Sequence, residues 1–398
     1  MSAILPAAAL PISPGRWRML GLLFACRTGL GFQFQTLGSA SDLLVAELGL
    51  GYAQIGSLIG LFMLPGLLLA LPAGYLGRYL PDRWLVGSAL LVLALGGVLA
   101  ALAQGFGQLA LGRAVAGIGF VVSTVYLTKM VADWFMGQEL ATAMGILVMS
   151  WPFGIAMGQI GEGWVAARLG WQAVFWLASA YCALCAAALL WGYRPPPVAR
   201  QPAPVSARLL RSEWVLTVLA GTVWGLFNAG YIVYLSFAPR LLVAGGYGPA
   251  QAAAVISIAS WVMIFSGALC GQIADRTGKR EPILYFCGSV AVLSMLLLQQ
   301  VAWAVPLSLL FGLIGAAPAG IIMALTVEAM APQRRAFGMG VFVSVFFVIV
   351  TLAPPLAGWL YDRSADPYGP VLLAAGLFAG AMVVYRLFGL AKRRLAAG

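Results

Sequence analysis

Histidine is absent from all 398 residues. With it go the commonest metal ligand and the commonest proton shuttle near neutral pH. Charge of any kind is scarce: 9% of residues are Asp, Glu, Lys or Arg, against about 25% in soluble domains. Acids are the rarer sign, 12 against 23 Lys and Arg. Cysteine is limited to Cys26, Cys182, Cys185, Cys270 and Cys287, all in apolar surroundings. Cys182 and Cys185 form a C-x-x-C inside a run of Ala and Leu, which reads as small packing residues rather than a redox or metal site. No nucleophile–base pair or metal-ligand spacing stands out, so no enzyme and no cofactor is expected.

What is abundant is apolar: 62% of the chain is hydrophobic. So little polar surface cannot cover a globule of this size, and the chain is expected to be an all-α, polytopic membrane protein. Its 49 glycines and 22 prolines suit membrane helices, which tolerate both. Segments of spanning length, ~20 residues, recur about twelve times. They cover 17–41, 50–77, 81–104, 107–132, 139–166 and 171–193, then 213–239, 247–274, 281–301, 304–330, 336–361 and 369–390. The first 14 residues lack the charged start of a cleavable signal and read as a short tail.

The formal charge of +11 does not imply nucleic acid, because the cations gather in alternate loops, as membrane topology requires. One set of loops holds Arg16, Arg18, Arg78, Arg83, Arg276, Lys279, Arg280, Arg334, Arg335, Lys392, Arg393 and Arg394. The other holds Arg168, Arg240 and Arg363 with Asp42, Glu47, Asp362 and Asp366. The first set is expected in the cytoplasm, with both termini. Between the sixth and seventh spans lies a proline-rich stretch with Arg194, Arg200, Arg208 and Arg211, which cannot be a helix interior. The expected organisation is a tail at 1–16, a six-helix bundle at 17–193, a basic linker at 194–212, a second bundle at 213–390 and a tail at 391–398.

The two halves repeat. Gln54 and Gln251 close similar segments (251 − 54 = 197), and the same offset pairs Gly74 with Gly271 and Arg83 with Arg280. Further on, Gly145 pairs with Gly340 (340 − 145 = 195), and Gly163-Trp164 with Gly358-Trp359. A near-constant offset implies parallel six-helix repeats, the architecture in which a central site opens to either side by rocking one half on the other.

The loop Gly271-Gln272-Ile273-Ala274-Asp275-Arg276-Thr277-Gly278-Lys279-Arg280 resembles the loop signature of the major facilitator superfamily. Gly112-Arg113 with Gly117 and Gly119, Glu328 with Pro332 and Arg335, and in part Pro152-Phe153-Gly154 resemble further elements of that family. The counterpart at 74–83 departs from it, with Arg78 where the aspartate should stand. The resemblance spans roughly 15–390 and implies the major facilitator fold. It also implies that Asp275, Arg276, Arg280, Glu328 and Arg335 form a network closing the cytoplasmic face. The first half cannot build the same network, and Asp82, Asp133 and Glu139 are its available substitutes.

Charges inside spans need a reason, since a central arginine costs about 2.5–3.5 kcal/mol on insertion scales. Arg27 lies near the middle of the first span, a helix that the resemblance places beside the cavity. Its guanidinium would bind a carboxylate, nitrate-like or phosphate group in a fork, or else bond carbonyls and lock two helices. Arg113 matches a family arginine for which the resemblance implies a structural or proton-coupling role. Lys129 and Asp133 stand one turn apart and suit a local ion pair. Glu162, towards the outer end of the fifth span, would carry a transported proton if desolvated, or sit in water, or pair with Arg168. Trp224, Asn228 and Tyr231 share one helix face and either line the cavity or pack. Gln35, Tyr126, Trp151 and Gln159 are further cavity candidates.

The expected protein is a secondary or facilitative transporter of a small organic or inorganic anion across the inner (cytoplasmic) membrane. It would resemble nitrate, cyanate or monocarboxylate porters and work as a monomer in the lipid bilayer, with protons as the candidate coupling ion. One rival is a proton-driven efflux antiporter for amphipathic compounds. Another is a non-transporting membrane sensor on the same fold.

Overall fold

A chain this apolar can bury its backbone polar groups in a bilayer only by closing them into helices. The computed structural model describes residues 15–76, 79–135, 139–196, 209–331 and 334–397, and among them there are helices and no strand. The first half contains α1 (Arg16–Leu48), α2 (Tyr52–Leu76), α3 (Asp82–Ala101), α4 (Phe106–Trp134), α5 (Leu140–Leu169) and α6 (Trp171–Gly192). The second contains α7 (Arg211–Ala244), α8 (Pro249–Thr277), α9 (Arg280–Leu297), α10 (Ala304–Leu310), α11 (Ala319–Ala329), α12 (Arg335–Ser364) and α13 (Tyr368–Ala397).

Eleven stretches are long and apolar enough to cross a membrane among the described residues. α1 is not one of them, although its 33 residues reach ~50 Å and exceed a ~30 Å hydrocarbon core. Polarity is what disqualifies it. Thr28, Gln33, Gln35, Thr36 and Ser41 lie on it and are all buried, so its polar groups face neighbouring helices instead of lipid.

Helix pairing repeats between halves as the offset in sequence predicts. α1 packs on α5 and α6, and α7 packs on α12 and α13. α3 packs on α6, and α9 on α13; α2 packs on α4, and α8 on α10. The halves meet along α2–α12 and α5–α8, two seams that exchange with each other when the halves are swapped.

Three expectations change in detail. The charged stretch at 271–280 is helix rather than loop up to Thr277; only Gly278 and Lys279 separate α8 from α9. Gly278 ends α8 at φ +66°, a left-handed turn that glycine enters without steric cost. The expected span at 304–330 is broken. Phe311–Gly315 forms a π-helical turn, with the Ala316 N–H donating to Phe311 O at 2.8 Å, and α11 restarts after Pro318. A proline cannot donate into a continuing helix. At the far end, α13 runs on through the expected tail to Ala397. Of the expected linker, 197–208 lie outside the described residues.

One of the tight joints in the first half is α1 on α5. A Cβ on Gly31 would stand 3.1 Å from Ile155 N, and one on Gly154 would stand 2.9 Å from Phe32 N. Backbones this close leave no room for a side chain. Gly154→Val should therefore lower stability by about 1–3 kcal/mol, the usual range for overpacking. Thermal unfolding in detergent, followed by the exposure of buried cysteines, is the measurement; an unchanged midpoint would show that the helices part without cost.

Candidate functional site

Two arginines lie at membrane depth in the first half, and their surroundings differ. Arg113 on α4 is 1% exposed. Its guanidinium donates to Leu58 O (3.3 Å), Gln33 O (3.1 Å), Phe34 O (3.4 Å) and Thr36 Oγ1 (3.4 Å). It also lies 4.4 Å from the centre of the Phe62 ring. These bonds fill most of the donor fork and tie α4 to α1 and α2.

Arg27 is half-buried, roughly 16 Å along α1 from its first residue at 1.5 Å per residue. It donates once, from Nη1 to Leu147 O of α5 at 3.1 Å, and no carboxylate pairs with it among the described residues. One helical turn before it, Phe24 packs on Phe153 (5.6 Å between centroids), and Phe153 packs edge-on against Trp261 of the second half (5.4 Å). A guanidinium with most of its donors uncommitted thus lies beside an aromatic chain that crosses from one half to the other.

The other cavity candidates divide by burial. Trp151 is half-buried between Phe34 (5.3 Å) and Phe120 (5.2 Å). Trp224 and Asn228 are half-buried, with Asn228 Nδ2 donating to Trp224 O at 2.8 Å. Tyr231, on the same helix face, is buried and shares a 2.8 Å hydrogen bond with Ser260 on α8. Tyr126 is buried and donates to Ala73 O at 2.7 Å. Gln35 and Gln159 are buried between α1 and α5. Among the described residues no hydrogen bond joins Trp224 or Asn228 to Arg27.

Glu162 is fully buried, and neither carboxylate oxygen has a hydrogen-bond partner among the described residues. Arg168 does not meet it; that guanidinium lies over Trp164 at 4.3 Å. The three thiols Cys26, Cys182 and Cys185 gather where α1 meets α6, with Cys182 Sγ donating to Gly29 O at 3.6 Å and Cys185 Sγ to Ala25 O at 3.6 Å.

The two faces of the molecule are built differently. On the face away from the termini, contacts cross between halves. Asp362 at the end of α12 accepts from the N–H of Tyr52 (2.8 Å) and of Ala53 (2.7 Å), capping α2. Arg240 of α7 pairs with Asp42 of α1 (3.2 Å), donates to the Ser41 hydroxyl and covers the Tyr52 ring at 4.5 Å. Tyr52 and Tyr361 meet edge-on at 4.2 Å. On the terminal face, the ion pairs resolved between described side chains each stay within one half. Arg16–Glu139 (2.7 Å), Lys129–Asp82 (2.5 Å) and Lys129–Asp133 (3.1 Å) belong to the first. Arg280–Glu328 (3.3 Å), Lys392–Glu328 (2.7 Å) and Arg334–Glu213 (2.6 Å) belong to the second. Arg276 is exposed, and the side chains of Asp275 and Arg335 lie outside the described residues. The structure is therefore latched on the face opposite the termini. Sequence reasoning missed the latch because it counted Arg240, Asp42 and Asp362 only as loop charges. Opposite signs gathered on one face were the available signal.

Residues 23–342 match the sequence model of the Major Facilitator Superfamily. The chain is similar to the inner membrane transport protein YajR of Escherichia coli (strain K12), 28% identical over 183 residues, which are 45% of this chain and 39% of that protein. It thus spans about two fifths of that relative's length. It is also similar to the hexuronate transporter of Bacillus subtilis (strain 168), 24% identical over 392 residues, 87% of this chain and 89% of that one. Monocarboxylate transporter 12 of Xenopus laevis is 29% identical over 156 residues, 37% of this chain and 33% of that one. Among solved structures, a bacterial homolog of the human lysosomal transporter Spinster, inward-facing and occupied, superposes with a TM-score of 0.78 at 18% identity, covering 96% of this chain and 97% of that one. A mutant of the nucleoside transporter NupG gives 0.72 at 15% identity, covering 93% and 99%. At these identities the structural likeness establishes the fold.

The latch makes a prediction of its own. A cysteine placed at Ser57, beneath the capped end of α2, should react faster with a membrane-impermeant maleimide when Arg240→Ala and Asp362→Ala are combined. Losing ~1.4 kcal/mol of preference for the closed face would raise the rate about tenfold. An unchanged rate would show that these contacts do not hold the face shut.

Proposed function

This chain belongs to the Major Facilitator Superfamily, and we propose that it carries a small organic anion by alternating access, with Arg27 holding the anionic group. The family moves solutes across membranes and performs no covalent chemistry on them. One observation carries the reading: Arg27 is an arginine at membrane depth that spends one donor on a backbone carbonyl and is neither sealed nor paired with an acid. An ion left so at depth is costly, and an incoming carboxylate would offset that cost with two parallel charge-assisted bonds. Arg113 cannot serve in the same way, because its donors are spent on α1 and α2.

The surroundings of Arg27 describe the rest of the cargo. Phe24, Phe153, Trp151 and Trp261 offer flat apolar surface near the guanidinium, which suits an organic acid with an apolar or ring-shaped body. The relatives named for hexuronate and monocarboxylate support a carboxylate over an inorganic anion. Trp224, the counterpart of Arg27 at the same offset (224 − 27 = 197), and Asn228 one turn further on would contact the body of the cargo from across the cleft.

The terminal face is assigned to the cytoplasm of a bacterial inner membrane, since cations outnumber acids in its loops. The latched face then opens outward, and this state faces the cytoplasm. Asp275, Arg276, Arg280, Glu328 and Arg335 are assigned the complementary task of closing the cytoplasmic face when the latch parts. Each such pair gives a modest bias at a wetted helix end, and several together can shift a two-state equilibrium of a few kcal/mol.

Lactate and glucuronate are suitable probes. Either should raise the thermal midpoint of the wild-type protein and enter proteoliposomes that contain it. Arg27→Ala should weaken binding by about 10- to 100-fold, the worth of a hydrogen bond to a charged group at ~1.5–3 kcal/mol. Arg27→Lys should retain part of it, since the charge stays and the fork goes. Anion stabilisation that survives equally in Arg27→Ala would overturn the assignment. Stabilisation by amphipathic cations and not by anions would favour the efflux reading.

A further inference from the structure

We propose that Glu162 is a proton-binding site and that the transporter moves its anion together with a proton. The proposal rests on the anion reading above for its cargo, but not for the site. Glu162 is a fully buried carboxyl that nothing described so far uses. It is exposed to neither face, and both oxygens lack a partner among the described residues. Its side chain turns back over Gly158, one helical turn before it, towards α1. A Cβ on Gly158 would stand 3.2 Å from the Glu162 carboxyl carbon and 2.9 Å from Gln35 Cγ. The carboxyl and Gln35 therefore close on the same point, and glycine leaves them the room. The Ser39 hydroxyl of α1 is a second polar neighbour.

The charged and titratable groups facing it are few. From α4 comes Arg113, already bonded to carbonyls of α1 and α2. From α6 comes the Cys182 thiol. On α1 itself, Asp42 is engaged with Arg240 and Glu47 with the Trp171 indole N–H at 2.9 Å. On α5, Arg168 is turned onto Trp164. Among the described residues no cation is bonded to the carboxyl, and a buried carboxylate without such a bond is costly. Adding a proton to one oxygen makes a neutral acid that can donate to Ser39 or to the Gln35 carbonyl oxygen. No other covalent bond changes.

The same pair of helices carries both events. Arg27 reaches Leu147 O near the terminal side of the α1–α5 seam, and Glu162 meets Ser39 and Gln35 near the other. The Gly31–Gly154 crossing lies between them. A proton on Glu162 permits the sealed seam seen here, under the latch; a charged Glu162 favours the state in which the latch parts and water reaches it. Loading one proton and one monoanion leaves the seam without net change of charge.

The test begins without cargo. Proteoliposomes on a solid-supported membrane are given a pH jump, and the transient current from proton binding is read. Wild type and Arg27→Ala should both give the transient, and Glu162→Gln should lose it while keeping its melting temperature. With lactate added, an inward proton gradient should accelerate uptake by wild type. Glu162→Gln should still exchange lactate for lactate but ignore the gradient. A full transient in Glu162→Gln, or none in wild type, would overturn the proposal. A wild-type transient with no flux of lactate or glucuronate would leave the proton site standing and sink the anion reading. Should Glu162→Gln fail to fold, infrared spectra across the pH jump supply the check. A carboxylic C=O band that moves in Ser39→Ala or Gln35→Leu supports the site, and a band indifferent to both refutes it.

Discussion

The contact of α1 with α5 at Gly31 and Gly154 is the constraint on which the rest of the first half depends. Side chains are excluded there, so the two backbones meet and the polar groups of α1 are set at fixed heights along α5. Arg27 falls level with the Leu147 carbonyl, which it shares with the Ser150 hydroxyl. Gln35 and Ser39 fall level with Glu162. A helix as polar as α1 would be expensive in lipid. Its place against α2, α3, α4, α5, α6 and α7 is what lets it carry those groups at all.

Polarity buried in this way takes two forms with opposite consequences. Arg113 is saturated by carbonyls from two other helices, so it acts as a rivet. Such a group stabilises one arrangement and has little left to offer a ligand. Arg27 and Glu162 are left short of partners. Unsatisfied groups at depth are the part of a membrane protein most able to respond to a solute or a proton, because binding removes a cost already present.

The halves share a pairing scheme but not their ionic fittings. In the second half, Glu328 is held by Arg280 and Lys392, and Glu213 ties the start of α7 to Ala331 and Arg334. The first half lacks the aspartate at Arg78, and its terminal face uses Lys129 between Asp82 and Asp133, with Arg16 on Glu139. Each half is thus braced on the terminal side by itself, while on the other side Asp362 and Arg240 bind the halves to each other. Among the described residues, the ionic ties between the halves therefore lie on one face.

Composition alone determined that this is a helical membrane protein, because 9% charge over 398 residues leaves no other way to solvate the chain. The offset of 197 residues determined the pairing scheme, because equivalent sequences bury equivalent faces. The stretch at 271–280 and the Gly112-Arg113 element pointed to the family. Only the tertiary structure decided what each polar residue does. Arg27 and Arg113 are alike in sequence, both arginines within a span; neighbours from other helices separate them. Tyr126 and Tyr231 looked like cavity residues and are bound into helix contacts. The break at Phe311–Gly315 and the latch across Asp362 and Arg240 arise between segments far apart in the chain. Periodicity reports which face of a helix is apolar, and it carries no information about which distant carbonyl or acid that face will meet.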